Sequence, residues 1–397
     1  MPGPEWRRNL AVLWLAQFTA ILGFAFAFPF LPLYLQDLGV HRQDELAFLS
    51  GLAGGASGLA LMVASPIWGV VADRYGRKPM LVRAMIGGAI TLILLGFARG
   101  PLDVIVLRFL QGASSGTVGA ATALVATGTP RPLVGWALGV LASAVAVGSA
   151  TGPFLGGIAA GKLGLHAVFW VGGGMLALAA LAAALLIKES KATRGKAKAQ
   201  PALVALRASG PHTLAAIGAL LVCQALLQTA YSGFSPLVVL KLLTVLPRGA
   251  ATVTGVAFGI SGLMSALAAV LYAPLARRFG YRRVATVTGL SMGAALALAA
   301  FSSLAWTMVF SAGLLGLMFG ATSPALSSML GLEVPASIQA RIFGFSSSAT
   351  AAGFALGPLG GGIIAARLGP SAALLCLAGA TLLLAAVLVV RVREPAR

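Results

Sequence analysis

Long apolar stretches separated by short polar breaks run through all 397 residues of the chain. Each stretch is about 20 residues or longer, the length of helix that crosses a hydrocarbon core of roughly 30 Å. The stretches do not alternate apolar and polar residues in segments of about ten, as the strands of a membrane barrel do. The pattern therefore predicts an all-α polytopic membrane protein.

The apolar stretches predict twelve transmembrane helices in two six-helix halves. Their approximate bounds are 9–35, 46–72, 79–99, 102–126, 133–160, 165–187, 209–238, 250–275, 283–303, 306–331, 339–366 and 370–391. One long charged break, residues 188–208, separates the sixth helix from the seventh. We expect an N-terminal half of residues 1–187, a cytoplasmic linker of residues 188–208 and a C-terminal half of residues 209–397.

The two halves repeat each other at an offset of 205 residues. The segment GSATGPFLGG at 148–157 corresponds to GFALGPLGGG at 353–362, with the glycines and the proline in register. Several such matches indicate a duplicated bundle with pseudo-symmetric halves. Duplicated halves of this kind commonly enclose a site at the membrane midplane and rock around it to give alternating access.

The charge of the chain sets its orientation. Hydrophobic residues make up 59% of the chain and charged residues 9%, with a formal net charge of +19. The bases lie in breaks between apolar stretches and not along one stripe, which argues against nucleic-acid binding. With both termini inside, 21 of the 28 Lys and Arg residues fall in the inside loops and tails or in the span ends next to them, and six fall on the outside. This bias predicts cytoplasmic termini.

The sequence carries no signal of an enzyme. It has no Gly-Lys-Ser/Thr phosphate loop, so ATP is not the expected energy source. The three histidines are scattered near the ends of spans, and no metal-ligand cluster is present in the sequence. Cys223 and Cys376 lie inside apolar stretches, where they behave as small hydrophobic residues. We expect no cofactor and no metal.

The loop between the second and third spans reads GVVADRYGRK, residues 69–78. Its bases suit a cytoplasmic loop, but they do not explain the acid Asp73, which a helix N-terminus would favour. The loop resembles the G-x-x-x-D-R-x-G-R-K motif of the major facilitator superfamily. The matching residues are Gly69, Asp73, Arg74, Gly76, Arg77 and Lys78.

The resemblance implies a cytoplasmic latch. In this superfamily the acid, here Asp73, contacts the start of the eleventh helix, here residues 339–341, and clamps the halves together. Arg77 is the expected supporting cation. The copy in the second half has Arg277 in place of the acid, so we expect the latch on one side only.

Gly148, Gly152 and Gly156 are spaced to share one face of the fifth helix. Glycines on one face let a neighbouring helix approach closely, and Pro153 permits a bend. A plain packing seam would explain this spacing. The pattern also resembles the signature of the twelve-helix drug–proton antiporters of the superfamily, which favours export. We expect both seams between the halves to use it, through Gly157 as well and through the second copy, Gly353, Gly357, Pro358, Gly361 and Gly362.

The first helix contains LGFAFAFPFLP, residues 22–32, which resembles a first-helix motif of the same drug exporters. Gly23, Pro29 and Pro32 allow its outer end to bend. Phe24 and Phe28 are candidates for an aromatic cavity wall, and lipid-facing bulk is the alternative.

The fourth helix contains LRFLQGASSG, residues 107–116, which resembles the R-x-x-Q-G motif of the family. An arginine inside a span costs roughly 2.5–3.5 kcal/mol on insertion scales and normally faces protein or water. Arg108, Gln111 and Ser115 have the spacing of one polar face; the alternative is that Arg108 snorkels to the outer surface. The resemblance implies a role for Arg108 in proton transfer.

Titratable groups for proton coupling are few, since the sequence places no acid in the middle of a predicted helix. Asp37 and Asp103, together with Arg108, are the candidates. Asp103 has the alternative role of capping the fourth helix. Asp37 has the alternative role of an acid in an outer loop.

Further cavity candidates are Gln17 on the first helix, Gln111 and Ser115 on the fourth, and a stripe of Gln224, Gln228 and Tyr231 on the seventh. Side chains of this kind suit a neutral or weakly charged amphiphile. They could equally hydrogen-bond neighbouring helices.

These observations predict a secondary active exporter of lipophilic small molecules, a multidrug efflux protein of a bacterial inner membrane. We expect proton antiport, a monomer, and contact with membrane lipid but not with nucleic acid. A lipid or glycolipid flippase on the same fold is the alternative. A non-transporting membrane receptor or scaffold is a more remote one.

Overall fold

The computed structural model describes residues 5–130, 133–187, 211–246, 249–334 and 339–394, so the predicted linker lies outside the described residues. Every regular element in these ranges is helical. The α-helices in chain order are α1 Glu5–Ala27, α2 Leu31–Asp37, α3 Gln43–Tyr75, α4 Arg77–Leu95, α5 Pro101–Ser114, α6 Thr117–Gly128, α7 Val134–Leu163, α8 Leu165–Leu186, α9 Pro211–Val245, α10 Ala250–Phe279, α11 Tyr281–Phe301, α12 Ala305–Glu333 and α13 Gln339–Arg391. A 3-10 turn, Phe28–Phe30, joins α1 to α2 where the two prolines predict a bend.

The prediction of an all-α polytopic membrane protein is confirmed. Ten helical segments within the described residues are long and apolar enough to cross a membrane. The fourth predicted span is covered by α5 and α6, which have 14 and 12 residues. The last two predicted spans are both covered by α13, which is broken at Gly369. The count of twelve stays a prediction.

The same glycine turn recurs in both halves. Gly76 and Gly280 end one helix and begin the next, with φ of 101° and 91° and ψ of 161° and 151°. Gly164 and Gly369 do the same at the other end of the bundle, with φ of 85° and 86°. These backbone angles are readily adopted only by glycine. The members of the two pairs are 204 and 205 residues apart, within one residue of the 205-residue offset of the sequence repeat.

The two halves contact each other along two antiparallel helix pairs, α3 with α13 and α7 with α10. In the first pair, a methyl group at Gly58 would lie 2.8 Å from the Cβ of Ala355, and one at Gly362 would lie 2.6 Å from the Cα of Gly51. In the second pair, a methyl group at Gly157 would lie 2.8 Å from the Cα of Gly255. The absence of side chains at these glycines lets the helix backbones touch.

Both pairs separate toward the end of the bundle where α1 begins. The register that places Gly58 beside Ala355 would place Gly69 beside Gly344, yet a methyl group at either glycine would meet no described atom within 4 Å. The same is true of Gly139, which precedes the contact region of α7. The halves therefore meet at the end opposite the N-terminus and diverge at the end that carries it.

The helix faces that carry three glycines, at 148, 152 and 156 and at 353, 357 and 361, pack inside the halves and not between them. Gly148, Gly152 and Gly156 contact the backbone of α1, and Gly353 and Gly357 contact the backbone of α9. The expectation that these faces form the seams between the halves was wrong. Spacing shows which residues share a face, but it does not show which neighbour that face meets.

The seams between the halves are formed by residues that lie next to these glycines in the sequence. Gly157 and the carbonyl of Pro153 contact Gly255 on α10. Gly362 and the carbonyl of Pro358 contact Gly51 on α3. Gly361 contacts the side chain of Leu237 on α9, within its own half.

Cysteine cross-linking tests this asymmetry between the two ends of the seam. With Cys223 and Cys376 replaced by serine, the pair Gly58→Cys and Ala355→Cys is expected to form a disulfide rapidly under mild oxidation. The pair Gly69→Cys and Gly344→Cys is expected to react much more slowly, because a disulfide requires a Cβ–Cβ separation of about 3.5–4.5 Å. A protease site in the linker and a non-reducing gel report whether the halves stay joined. Equal rates for the two pairs would contradict the divergence.

Candidate functional site

Arg108 is the centre of a buried polar cluster between α5 and α3. Its side chain is 5% exposed. Its Nη2 donates to Ser57 Oγ at 2.8 Å, its Nε donates to the carbonyl of Ala53 at 3.4 Å, and its Nη1 donates to Gln111 Oε1. The guanidinium therefore faces protein and does not snorkel to the surface. Sequence reasoning missed Ser57 and Ala53, which lie far from Arg108 in the chain.

Two aromatic rings extend the cluster to the other half. The Arg108 Cζ lies 4.5 Å from the ring centroid of Phe28, in the 3-10 turn after α1. That ring lies 5.6 Å from the ring of Phe354 on α13. Phe28 therefore faces the interior at a contact between the halves. Phe24 instead packs against Gly88 of α4, where a methyl group would lie 2.7 Å from its ring.

The three proton-coupling candidates are not brought together. The Arg108 side chain contacts neutral oxygens and a ring, and no described residue forms an ion pair with it. Asp103 is exposed, and its Oδ2 accepts a hydrogen bond at 2.9 Å from the backbone N–H of Arg99, just before α5. Asp37 is the exposed last residue of α2. Asp103 precedes Arg108 by five residues, which places the two on different faces of α5.

The helix that carries Arg108 is broken near the middle of its predicted span. α5 ends at Ser114, Ser115 has extended backbone angles, and Gly116 has φ 125° and ψ 20° before α6 begins. The expectation of one continuous polar face through Arg108, Gln111 and Ser115 was therefore wrong for Ser115. Its hydroxyl instead donates to the carbonyl of Gln111 at 2.9 Å. The Ser-Ser-Gly sequence was the available signal.

Trp68 and Arg83 satisfy the carbonyl groups at this break. Trp68 Nε1 donates to the carbonyl of Ala113 at 2.6 Å, and Arg83 Nη2 donates to the carbonyl of Ser115 at 3.4 Å. The Arg83 Cζ also lies 3.5 Å from the Trp68 ring centroid. A helix C-terminus carries partial negative charge, so a cation stabilises it. Sequence reasoning missed this pair, although Arg83 lies inside the third predicted span.

Two buried amides offer polar atoms that have no partner among the described residues. Gln17 on α1 donates to Thr117 Oγ1 at 3.4 Å, just beyond the helix break, and its Oε1 is unpaired. Gln111 accepts from Arg108, and its Nε2 is unpaired. A buried unpaired group of this kind costs about 1–3 kcal/mol, so a bound polar group would be favoured at either position.

The predicted stripe on the seventh span makes contacts within the second half. Gln224 Oε1 accepts a hydrogen bond from Ser346 Oγ at 2.5 Å, and Gln228 packs against Gly353. Tyr231 stacks on Phe319 of α12 with ring centroids 3.9 Å apart. These contacts hold α9 to α13 and α12.

The predicted latch is described only in part. Gly76 has the left-handed backbone of the repeated turn, and Arg77 Nη1 donates to the carbonyl of Ala123 on α6 at 2.7 Å. Arg74 lies over the ring of Tyr75, at 5.6 Å. Lys78 follows Arg77 in the first turn of α4. The side chains of Asp73 and of residues 339–341 lie outside the described part of the chain, so the latch contact itself stays a prediction.

An acid that sequence reasoning missed lies at the corresponding turn of the second half. Glu394 accepts hydrogen bonds from the backbone N–H groups of Tyr281 at 2.6 Å and Arg282 at 2.9 Å. Its carboxylate therefore caps the N-terminus of α11. At the repeat offset of 205, Glu394 corresponds to Glu189 in the first half, which lies outside the described residues.

Replacing the glycine at the helix break is expected to destabilise the protein. Gly116→Ala should lower the free energy of unfolding by about 1–3 kcal/mol, because φ of 125° is strained for any residue with a Cβ. Gly119→Ala is the matched control, since it lies in regular α6 and, as at Gly116, a methyl group there would meet no described atom within 4 Å. Alanine at 119 should stabilise by up to about 1 kcal/mol. Thermal unfolding in detergent measures both variants, and equal shifts would contradict a strained break.

Shortening the buried cation tests the Arg108 cluster. Arg108→Lys keeps the charge but cannot donate to Ser57, Ala53 and Gln111 together. We expect a loss of about 1–3 kcal/mol in the free energy of unfolding, because acceptors are left unpaired. Arg99→Lys, at an exposed position outside the bundle core, is the control and should have little effect. If the two variants unfold at the same temperature, the cluster does not stabilise the fold.

Comparisons with known proteins agree with the geometry. The family model of the Major Facilitator Superfamily matches residues 13–244 and 220–397. The chain is 34% identical over 388 residues to "Multidrug resistance protein MdtG" of Salmonella paratyphi C (strain RKS4594), covering 95% of this chain and 94% of that protein. It is 30% identical over 368 residues to the protein of the same name from Proteus mirabilis (strain HI4320), covering 92% and 91%.

The fold is also found in solved structures. The crystal structure of the nucleoside transporter NupG superimposes with a TM-score of 0.76 at 16% identity, covering 97% of this chain and 99% of that one. At that identity the likeness shows the fold alone. The family match and the relatives place the chain among transporters and not among enzymes. The chain therefore belongs to the major facilitator superfamily.

Proposed function

We propose that this protein exports lipophilic small molecules from the bacterial cytoplasm across the inner membrane, in exchange for protons, by alternating access. The observation that carries the proposal is the divergence of two glycine-rich seams toward one end of the bundle, with a buried polar and aromatic cluster nearer their closed end. The multidrug-resistance relatives support a lipophilic cargo.

The two seams are suited to opening and closing. Contacts between glycine backbones lack interdigitated side chains, so they can part and re-form with little repacking. The excess of Lys and Arg in the loops at the N-terminal end supports a cytoplasmic position for that end. The conformation described is then open to the cytoplasm and closed to the outside.

The latch would close the cytoplasmic end in the opposite conformation. The antiparallel register of α3 and α13 pairs Gly58 with Ala355. Continued along both helices, it brings Gly69 to Gly344 and residue 73 to residue 340. Residues 339–341 form the start of α13, where the helix dipole favours an anion. Asp73 is thus a suitable group to hold the cytoplasmic ends together.

The groups near the closed end favour a neutral or weakly charged amphiphile as cargo. Phe28 and Phe354 offer rings, and Gln17 and Gln111 offer unpaired polar atoms. Arg108 contributes a buried positive charge. No described carboxylate is buried in the bundle, so a multivalent cation would find no counter-charge there.

For the proton step we propose Asp37 and Asp103. They end α2 and begin α5 at the closed, outward end, where protons would enter. Protons that enter there must pass the cluster on α5, and the fixed charge of Arg108 would oppose their leak through the bundle while the outer end is closed.

Transport in proteoliposomes tests this proposal. When protons flow down an imposed pH gradient, the reconstituted protein should move a fluorescent lipophilic dye across the membrane in the opposite direction. Asp37→Asn or Asp103→Asn should lower the gradient-driven rate by about tenfold or more if that carboxylate carries the proton. Asp44→Asn is the matched control, because Asp44 is an exposed acid at the same end and pairs with Arg42 at 2.6 Å.

The outcomes separate the parts of the proposal. Dye movement that ignores the pH gradient overturns proton antiport. Gradient-driven movement that is undiminished in both Asp37→Asn and Asp103→Asn overturns the assignment of the carboxylates. Absence of dye movement in any condition, with folded protein in the membrane, overturns export.

A further inference from the structure

A cavity lies between α1 and α7, apart from the cluster around Arg108. The two helices run parallel, because Gly148 contacts Phe18 and Gly156 contacts Phe26. Nearer their N-terminal ends they border an open cavity of about 680 Å³. Its walls are Trp6, Trp14, Trp136 and Arg7 together with four aliphatic residues. We call this cavity the tryptophan wedge.

The inner end of the wedge is held in place. Trp14 Nε1 donates to Ser143 Oγ at 2.9 Å, which joins α1 to α7. The Trp14 ring also stacks on Phe18, with an interplanar angle of 11°. At the mouth, Trp136 is 60% exposed. One ring is therefore fixed and another is accessible, as in a site that receives a flat molecule.

Three of the six tryptophans of the chain share this one cavity. Tryptophan is common at membrane interfaces, where each ring contacts lipid headgroups. Here the three rings line one cavity. Its volume falls within the range of roughly 300–1,000 Å³ that is typical of small-molecule sites.

The charge of the wedge restricts its ligand. Arg7 is the one charged residue among its described lining residues, and its Cζ lies 5.4 Å from the Trp6 ring. A ligand cation would find no carboxylate there, whereas a carboxylate would find a guanidinium. The inner cluster has the same character, with the Arg108 cation beside aromatic rings and no described acid in contact.

We infer that the tryptophan wedge binds aromatic acids, with the ring system between the tryptophans and the carboxylate at Arg7. The wedge lies at the end of the bundle where the halves diverge, nearer to that side than the Arg108 cluster does. It is thus a vestibule site for anionic aromatic cargo. Its role as a vestibule rests on the proposed function, whereas binding of the acid does not.

Binding to the purified full-length protein in a neutral detergent tests the inference. The probes are 1-pyrenebutyrate and 1-pyrenemethylammonium, which share a ring system and differ in charge, and equilibrium dialysis measures their affinity. We expect tighter binding of the acid. Trp136→Ala should weaken it by about tenfold through the lost ring contact, and Arg7→Gln by a similar factor for the acid alone.

Two variants serve as controls. Arg7→Lys keeps the positive charge and should retain most of the affinity for the acid. Trp306→Ala removes a tryptophan that is 79% exposed at the start of α12, in the other half, and should bind as the parent protein does. Size-exclusion chromatography shows that each variant is folded.

Three results would overturn the inference. In the first, Trp136→Ala binds the acid as tightly as the parent protein does. In the second, the parent protein binds the two probes with equal affinity, and Arg7→Gln changes neither affinity. The third is displacement of 1-pyrenebutyrate by equimolar phosphatidylglycerol, which would make the wedge a lipid site. Binding that is retained without any pH-driven transport would support the wedge and count against the proposed function alone.

Discussion

Close approach of helix backbones is the constraint on which the rest of this bundle depends. In a bilayer the hydrophobic effect does not drive helices together, so contact area between backbones and buried hydrogen bonds must do so. Glycines supply that contact in two directions, toward α1 and α9 within each half and across the seams through Gly157 and Gly362. Adjacent residues of one helix therefore serve two purposes, packing within a half and contact between the halves.

The polar groups in the interior also hold neighbouring helices together. The break between α5 and α6 frees carbonyl oxygens that would otherwise be unpaired in an apolar medium. Trp68 and Arg83 satisfy them from α3 and α4, and Arg108 ties α5 to α3 nearby. Hydrogen bonds therefore fix the fourth span to α3 and to α4 near the end of α5.

Sequence patterns were sufficient to predict the fold, but they were not sufficient to predict the contacts between distant segments of the chain. Apolar length predicted the helices, and the matching turns at Gly76 and Gly280, 204 residues apart, agree with the sequence repeat. Spacing placed Arg108 and Gln111 together because they lie one turn apart on one helix. It could not identify Ser57, Phe354 or Glu394, because their proximity arises from packing between distant segments. The prediction for Ser115 was wrong for a local reason, because the helix on whose spacing it relied ends just before this residue, at the break that includes Gly116.

The cap that Glu394 provides bears on how the chain can be altered in the laboratory. Its carboxylate binds the first backbone N–H groups of α11, so the last described residue of the chain is tied to a helix more than a hundred positions earlier. Trimming the C-terminal segment to or before this residue would uncap α11 at a site remote from the seams. A fusion partner or affinity tag belongs after it, where Glu394 would still be free to bind.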